Sequence, residues 1–157
     1  MLVNNMENTI LNDISTELKT LFSVTLKQAM DSYQGYLQQN DVTPTQMNMM
    51  IHLYYMGSCE ITRMSGVMET NKSAVSQLVD RMVNQNLLER VEVPGDRRSR
   101  ELHLTEHGKN LVEGGMRARQ EWFEKVCANQ PEDSRKEIYQ ALCLFNRIFS
   151  SGSSTSG

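Results

Sequence analysis

The stretch NKSAVSQLVDRMVNQNLLERVEVPGDRRSRELHLT, residues 71–105, changes its hydrophobic period part-way along and so decides the fold. From Lys72 to about Gln85 the apolar residues Val75, Leu78, Val79 and Met82 fall at i, i+3, i+4 and i+7, one stripe of a helix that Asn71 can cap. After Asn86 the period drops to two, with Leu87, Glu89, Val91 and Val93 on one side of an extended segment and Leu88, Arg90 and Glu92 on the other. Pro94-Gly95 is a turn signal, Asp96 to Arg100 reads as a charged loop, and Glu101-Leu102-His103-Leu104 alternates again as the returning strand. The prediction is a helix followed directly by a β-hairpin with a basic tip.

Upstream, Thr43-Pro44-Thr45-Gln46 spells a helix start: a threonine N-cap, proline at the first helical position and glutamine closing a capping box. That helix should run to about Met56. Gly57-Ser58 breaks it, and Ser58 is placed to cap a short helix from Cys59 to about Met68 with Ile61, Met64 and Met68 inward. Two short helices, a tight turn at Glu69-Thr70 and a hairpin make a winged helix-turn-helix, the arrangement that lays its second helix in the DNA major groove.

Long helices flank this unit. From Asn8 to about Gln39 apolar residues recur in steps of three and four (Leu11, Ile14, Leu18, Leu21 among them), a helix longer than a small domain needs for its own core. One end is therefore expected to pack on another subunit. Thr105 can cap a second long helix through Cys127, with Gly114-Gly115 marking a bend or pivot inside it. Pro131-Glu132-Asp133 opens a last helix carrying Ile138, Leu142, Phe145 and Phe149. The expected fold class is mainly α with a small β-hairpin wing. Residues 1–40 and 106–149 form the helical dimerisation region, 41–105 the DNA-binding lobe, and 150–157 a disordered tail with nothing to bury.

If Val75, Leu78, Val79 and Met82 face inward, Ser73, Gln77, Asp80 and Asn84 occupy the opposite face, with Ser76 and Arg81 at its borders. Serine hydroxyls bond phosphates or base edges, Gln77 carries the donor and acceptor pair that matches adenine, and Lys72 near the helix start reaches a phosphate. At the hairpin tip Arg97, Arg98 and Arg100 suit a narrow minor groove. Asp96 beside them is expected to fork a neighbouring arginine, Arg98, and fix its direction.

Composition sets the outer bounds. The 157 residues allow one domain or one domain with an oligomerisation arm, and 39% apolar residues permit a real core. The formal charge is −3, yet residues 71–100 hold six bases against four acids, while the rest of the chain holds ten against fifteen. For a nucleic-acid partner, charge distribution decides and the sum does not. With no apolar run long enough for a membrane span, no secretion signal at the start, and three widely spaced cysteines, the reading is a cytoplasmic protein with free thiols and no membrane partner.

The run from Pro94 through Asp96, Arg98, Leu102, Leu104 and Thr105 to Gly108 strongly resembles the wing and following helix start of the multiple antibiotic resistance regulator (MarR) family. Lys72 to Met82, followed by Leu87-Leu88-Glu89-Arg90, resembles that family's recognition helix and its exit. The departure is Glu69, in the turn before the recognition helix, where a small residue or glycine is common. The resemblance implies a homodimer built by the first and last two helices, binding pseudo-palindromic operator DNA and usually repressing transcription. It also implies a ligand crevice where the dimerisation helices meet the DNA-binding lobe.

Other chemistry is thinly represented. Cys59, read as near a helix N-terminus, could serve as an oxidation sensor, but it, Cys127 and Cys143 read better as small buried hydrophobes. His103 and His107 straddle a strand-helix boundary, so no metal site is expected. The six methionines between Met47 and Met68 could line an adaptable pocket, with core filling the plainer role. Tyr33, Tyr36, Tyr54 and Tyr55 are the candidate contacts for a small aromatic or anionic ligand. The chain has no P-loop, GxGxxG, HExxH or GxSxG, so neither catalysis nor a cofactor is expected. The reading is a DNA-binding transcriptional regulator, a repressor released by a ligand. A redox or metal switch on the same fold, or a winged-helix protein-interaction module, is the alternative.

Overall fold

A computed structural model describes residues 2–93 and 96–152, excluding the side chains of 2–8, 93, 96–99, 149, 151 and 152. The chain divides into two compact units, Met1–Arg119 and Gln120–Gly157. The first contains α1 (Leu2–Gln39), α2 (Pro44–Met56), β1 (Ser58–Glu60), α3 (Ile61–Val67), α4 (Lys72–Asn84), β2 (Leu88–Val93), β3 (Asp96–Leu104) and α5 (Glu106–Ala118). The second holds α6 (Glu121–Ala128) and α7 (Glu132–Gly152).

The caps form as the sequence dictates. Thr43 Oγ1 accepts from Gln46 N at 3.2 Å and Gln46 Oε1 accepts from Thr43 N at 2.8 Å, the reciprocal box that starts α2. Asn71 Oδ1 accepts from Ala74 N at 2.8 Å to start α4, and Thr105 Oγ1 accepts from Gly108 N at 3.0 Å to start α5. The core beneath them is rich in thioether: Met47, Met49, Met50, Met64 and Met82 are fully buried, packed with Leu53, Val79, Leu88 and Leu102. Core filling is thus the role of those methionines, and unbranched thioethers suit the irregular gap between three helices and a sheet.

Four expectations are corrected. Ser58 does not cap a helix. It opens β1, which pairs with β3 (Ser58↔His103, Cys59↔Leu102) to give a three-stranded sheet of order β1-β3-β2, and its hydroxyl donates to Glu101 Oε2 at 2.8 Å. A three-residue strand is too short to show a period, so β1 has no sequence signature. The segment Asp96 to Arg100 belongs to β3 and is not a loop, with strand pairing reaching Val93↔Asp96 and a register shift after Glu92. The Pro94-Gly95 turn lies outside the described residues.

The inner face of β2 is also the less apolar one. Leu88↔Leu104 and Arg90↔Leu102 are paired over the core, while Val91 is 41% exposed opposite Glu101. Finally, the helix after Thr105 does not run to Cys127. It stops at Ala118 and resumes at Glu121, while Gly114 and Gly115 sit inside a continuous α5. Their missing side chains make room for α1: a Cβ on Gly114 would stand 2.2 Å from the Tyr36 hydroxyl. The glycine pair is a packing seat, not a pivot.

α1 begins at Leu2, earlier than its periodicity suggests, and α7 continues to Gly152, three residues into the segment expected to lack structure; residues 153–157 are outside the described set. Of the described α1 side chains only Leu37 is buried, while Leu11, Leu21 and Phe22 are more than half exposed. No residue of α6 is buried, and Leu144 and Ile148 of α7 stand open. Both units leave a run of apolar side chains without cover, the pattern of a surface that meets a partner. Among the described residues no helix is long and apolar enough to cross a membrane.

Candidate nucleic-acid interface

α4 stands on Val75, Val79 and Met82, all buried, with Leu78 half-buried at its edge. Packing this stripe turns Lys72, Ser73, Gln77, Asp80, Arg81 and Asn84 to solvent, with Ser76 half-buried beside them. The polar face read from the helical period is therefore present as a surface. Among the described residues neither Lys72 nor Arg81 forms an ion pair, which leaves both cations available to an anion.

Asp80 would be an obstacle on such a face, and the structure neutralises it. Arg90 Nη2 lies 2.6 Å from Asp80 Oδ1 and donates to it. Arg90 continues the inner face of β2 beyond Leu88, so the strand carries its guanidinium over α4. The pair fixes β2 against α4 and offsets a negative charge on the exposed polar face of that helix. The sequence reading missed Arg90. The available signal was a short connection: Gln85, Asn86, at φ 57, and Leu87 alone turn the chain from α4 into β2, which brings an acid near the helix end close to a base early in the strand.

At the wing, Arg100 is exposed and only loosely set against Glu92, at 3.8 Å. The side chains of Asp96, Arg97 and Arg98, and with them the expected Asp96–Arg98 fork, lie outside the described residues.

A cleft runs along each flank of α4. The one on the wing side, about 470 Å³, is lined by Lys72, Arg90 and Arg100 against Glu60 and Asp80, together with Thr62 and Ser76. The one on the α2 side, about 900 Å³, is lined by Arg81 against Asp41 and Glu69, with Thr43, Thr45 and Thr70. The first flank is net basic and the second net acidic.

The sequence model of the MarR family matches residues 42–99, which covers α2 through the start of β3 and so takes in both flanks of α4. The chain is 36% identical over 87 residues to the uncharacterized HTH-type transcriptional regulator YsmB of Bacillus subtilis, covering 55% of this chain and 60% of that one. Residues 42–99 carry the sequence pattern of the MarR family. A second relative, the HTH-type transcriptional repressor MdtR of Bacillus subtilis, is 30% identical over 99 residues, covering 63% of this chain and 61% of that one. The chain thus spans about 60% of the length of either relative. The fold is shared with the S. aureus MepR mutant bound to oligodeoxyribonucleotide, at a TM-score of 0.70 and 20% identity over 85% of this chain and 96% of that one.

Three of the four candidate ligand tyrosines have polar or charged partners within the fold. Tyr36 Oη donates to the Leu111 carbonyl at 3.1 Å, and burial raises its pKa against an opposing pull from Arg117. Tyr33 lies beneath the Arg119 guanidinium, 3.8 Å from the ring centroid. Tyr54 Oη donates to Glu113 Oε1 at 3.1 Å, a bond that raises its pKa, while Tyr55 is 73% exposed and touches Tyr54 edge-on. Tyr54 lines a cleft of about 290 Å³ with Glu89, His103 and Lys109.

Cys59 is buried in β1, not at a helix start, and burial pushes its thiol pKa up, away from a reactive thiolate. Cys127 and Cys143 are exposed, contrary to the expectation of small buried hydrophobes, because α6 and α7 bury so little within their own unit. His103 lies 3.4 Å from Glu101 on the outer sheet face. Among the described residues no group of three ligating side chains could hold a metal ion.

Proposed function

We propose that this chain is a sequence-specific DNA-binding transcriptional regulator that acts as a homodimer on pseudo-palindromic operator DNA. The observation that carries the reading is the α4 surface: a short-chained polar face with two cations that have no ion pair among the described residues, standing on a buried apolar stripe and flanked by the wing. An α-helix of roughly 10–12 Å diameter fills a major groove about 12 Å wide, so this face would lie against base edges. Ser73, Ser76 and Gln77 would read bases, while Lys72, Arg81 and Arg100 would bind phosphate, and Arg97 and Arg98 would follow the minor groove with Asp96 as their guide. The name of MdtR as a transcriptional repressor supports repression as the direction of control. The uncovered apolar side chains of α1, α6 and α7 support a second copy as the partner, setting two α4 helices about one DNA turn apart, roughly 34 Å. A small aromatic or anionic ligand that releases DNA would have to displace Glu113 from Tyr54 or the Leu111 carbonyl from Tyr36. Thermal-shift titration with small aromatic carboxylates tests that step.

The test of the main reading is selection from random duplexes followed by a salt titration. Affinity should fall steeply between low and moderate salt as phosphate counterions are released. Salt-insensitive binding, or no enriched sequence, would sink it. Gln77→Ala is expected to relax sequence preference by roughly 1 to 3 kcal/mol at one position while leaving affinity for unrelated duplexes unchanged. Arg98→Ala should weaken operator binding by at least ~1 kcal/mol with the assembly state preserved, which a mobility-shift titration beside sedimentation would check.

A further inference from the structure

We infer that Glu69 is an affinity-limiting residue: its carboxylate stands where a DNA backbone strand passes α4 on the α2 side, and it weakens binding to every sequence alike. The inference rests on the DNA-binding reading and extends it to one flank of the helix.

A helix about as wide as the groove it enters touches both walls, so both flanks of α4 meet sugar-phosphate. On the α2 flank the wall of the cleft is built by Ala74 and Arg81 of α4, Thr45 of α2, and Glu69 and Thr70 of the turn. Ala74 and Arg81 are exposed on the same side as Ser73 and Gln77, so the cleft opens where DNA would lie. Arg81 and the threonine hydroxyls suit a phosphate. Glu69 opposes one, and no ion pair among the described residues neutralises it, in contrast to Asp80 on the other flank, which Arg90 holds at 2.6 Å.

The backbone sharpens the case. Glu69 sits at φ 48, a left-handed conformation that glycine adopts without strain and a glutamate does not. Its side chain is exposed and makes no hydrogen bond among the described residues that would hold the turn. Both its conformation and its charge therefore count against it in the folded, DNA-bound chain.

The test is a set of Glu69 variants measured by fluorescence anisotropy on a selected duplex and on an unrelated one, with Lys72→Ala on the opposite flank as reference. Glu69→Gln removes the charge and keeps the backbone strain. It is expected to tighten binding to both duplexes by about threefold to tenfold near 0.05 M salt, with the gain shrinking toward roughly 0.3 M as screening shortens the reach of the charge. Glu69→Lys should tighten further in the same direction. If Glu69→Gln changes nothing while Lys72→Ala weakens binding, the role given to Glu69 is wrong and the DNA-binding reading stands. A gain with Glu69→Gly that Glu69→Gln does not share would assign the effect to turn geometry and likewise overturn the inference. Indifference to Lys72→Ala as well would bring down the DNA-binding reading and the inference with it.

Discussion

Gly108→Ala is expected to destabilise the winged lobe by roughly 3 kcal/mol, near the top of the range for forcing an extra methyl into a packed site. The added Cβ would lie 2.3 Å from the Leu87 carbonyl oxygen and 3.1 Å from Leu104 Cδ2. The first of these is backbone and cannot rotate away. The same carbonyl accepts from Thr105 N and from Thr105 Oγ1, both at 3.2 Å, so moving Leu87 disturbs the junction of β2, β3 and α5 together. Against a total stability of ~5 to 15 kcal/mol, that loss should lower the melting temperature by about 10 °C. Gly66→Ala is the control. Gly66 is exposed in α3 with open space where a Cβ would go, so alanine should stabilise by about 0.5 to 1 kcal/mol. Equal melting temperatures for the two variants would show that the contact at Gly108 yields without cost.

The double variant Ile138→Glu/Leu142→Glu should convert the assembly to single chains of 18.0 kDa and reduce DNA affinity by about a hundredfold to ten-thousandfold. Ile138 and Leu142 lie one helical turn apart on α7 and are 38% and 47% exposed, apolar surface that the proposed homodimer would cover. Placing a carboxylate there and burying it without a partner costs several kcal/mol per charge. Loss of the second chain turns two linked half-site contacts into one, so affinity falls without any change to α4. Sedimentation and DNA titration of the same sample check both parts. A variant that keeps the mass of two chains would place the interface elsewhere, and a monomer that binds DNA at full strength would separate DNA binding from assembly.

The helices that begin with a box or a cap were legible because their signals are local. Thr43 with Gln46, Asn71 and Thr105 each satisfy backbone donors within three residues, and the resulting hydrogen bonds are those the sequence spells. The α4 face was legible for the same reason: one period fixes which residues turn inward and so which turn out. β1 was missed because three residues carry no period, and the alternation in β2 separated two faces without saying which is buried. It is pairing with β3, through Leu88↔Leu104 and Arg90↔Leu102, that sets which face meets the core. The partners of the tyrosines were not legible for a related reason. Hydroxyls that look available in the sequence are bonded to Leu111 and Glu113, far along the chain.

Local chemistry along the chain determined the capped helix starts, the polar face of α4 and the resemblance to the MarR family. Periodicity and capping act over a few residues, and the sequence displays those residues side by side. Tertiary structure alone decided that Arg90 pairs with Asp80, that Glu69 lines a cleft with Arg81, and that Gly114 seats Tyr36. Each of these depends on two or more segments meeting in space, and the distance between them is fixed by packing, which no single stretch of sequence contains.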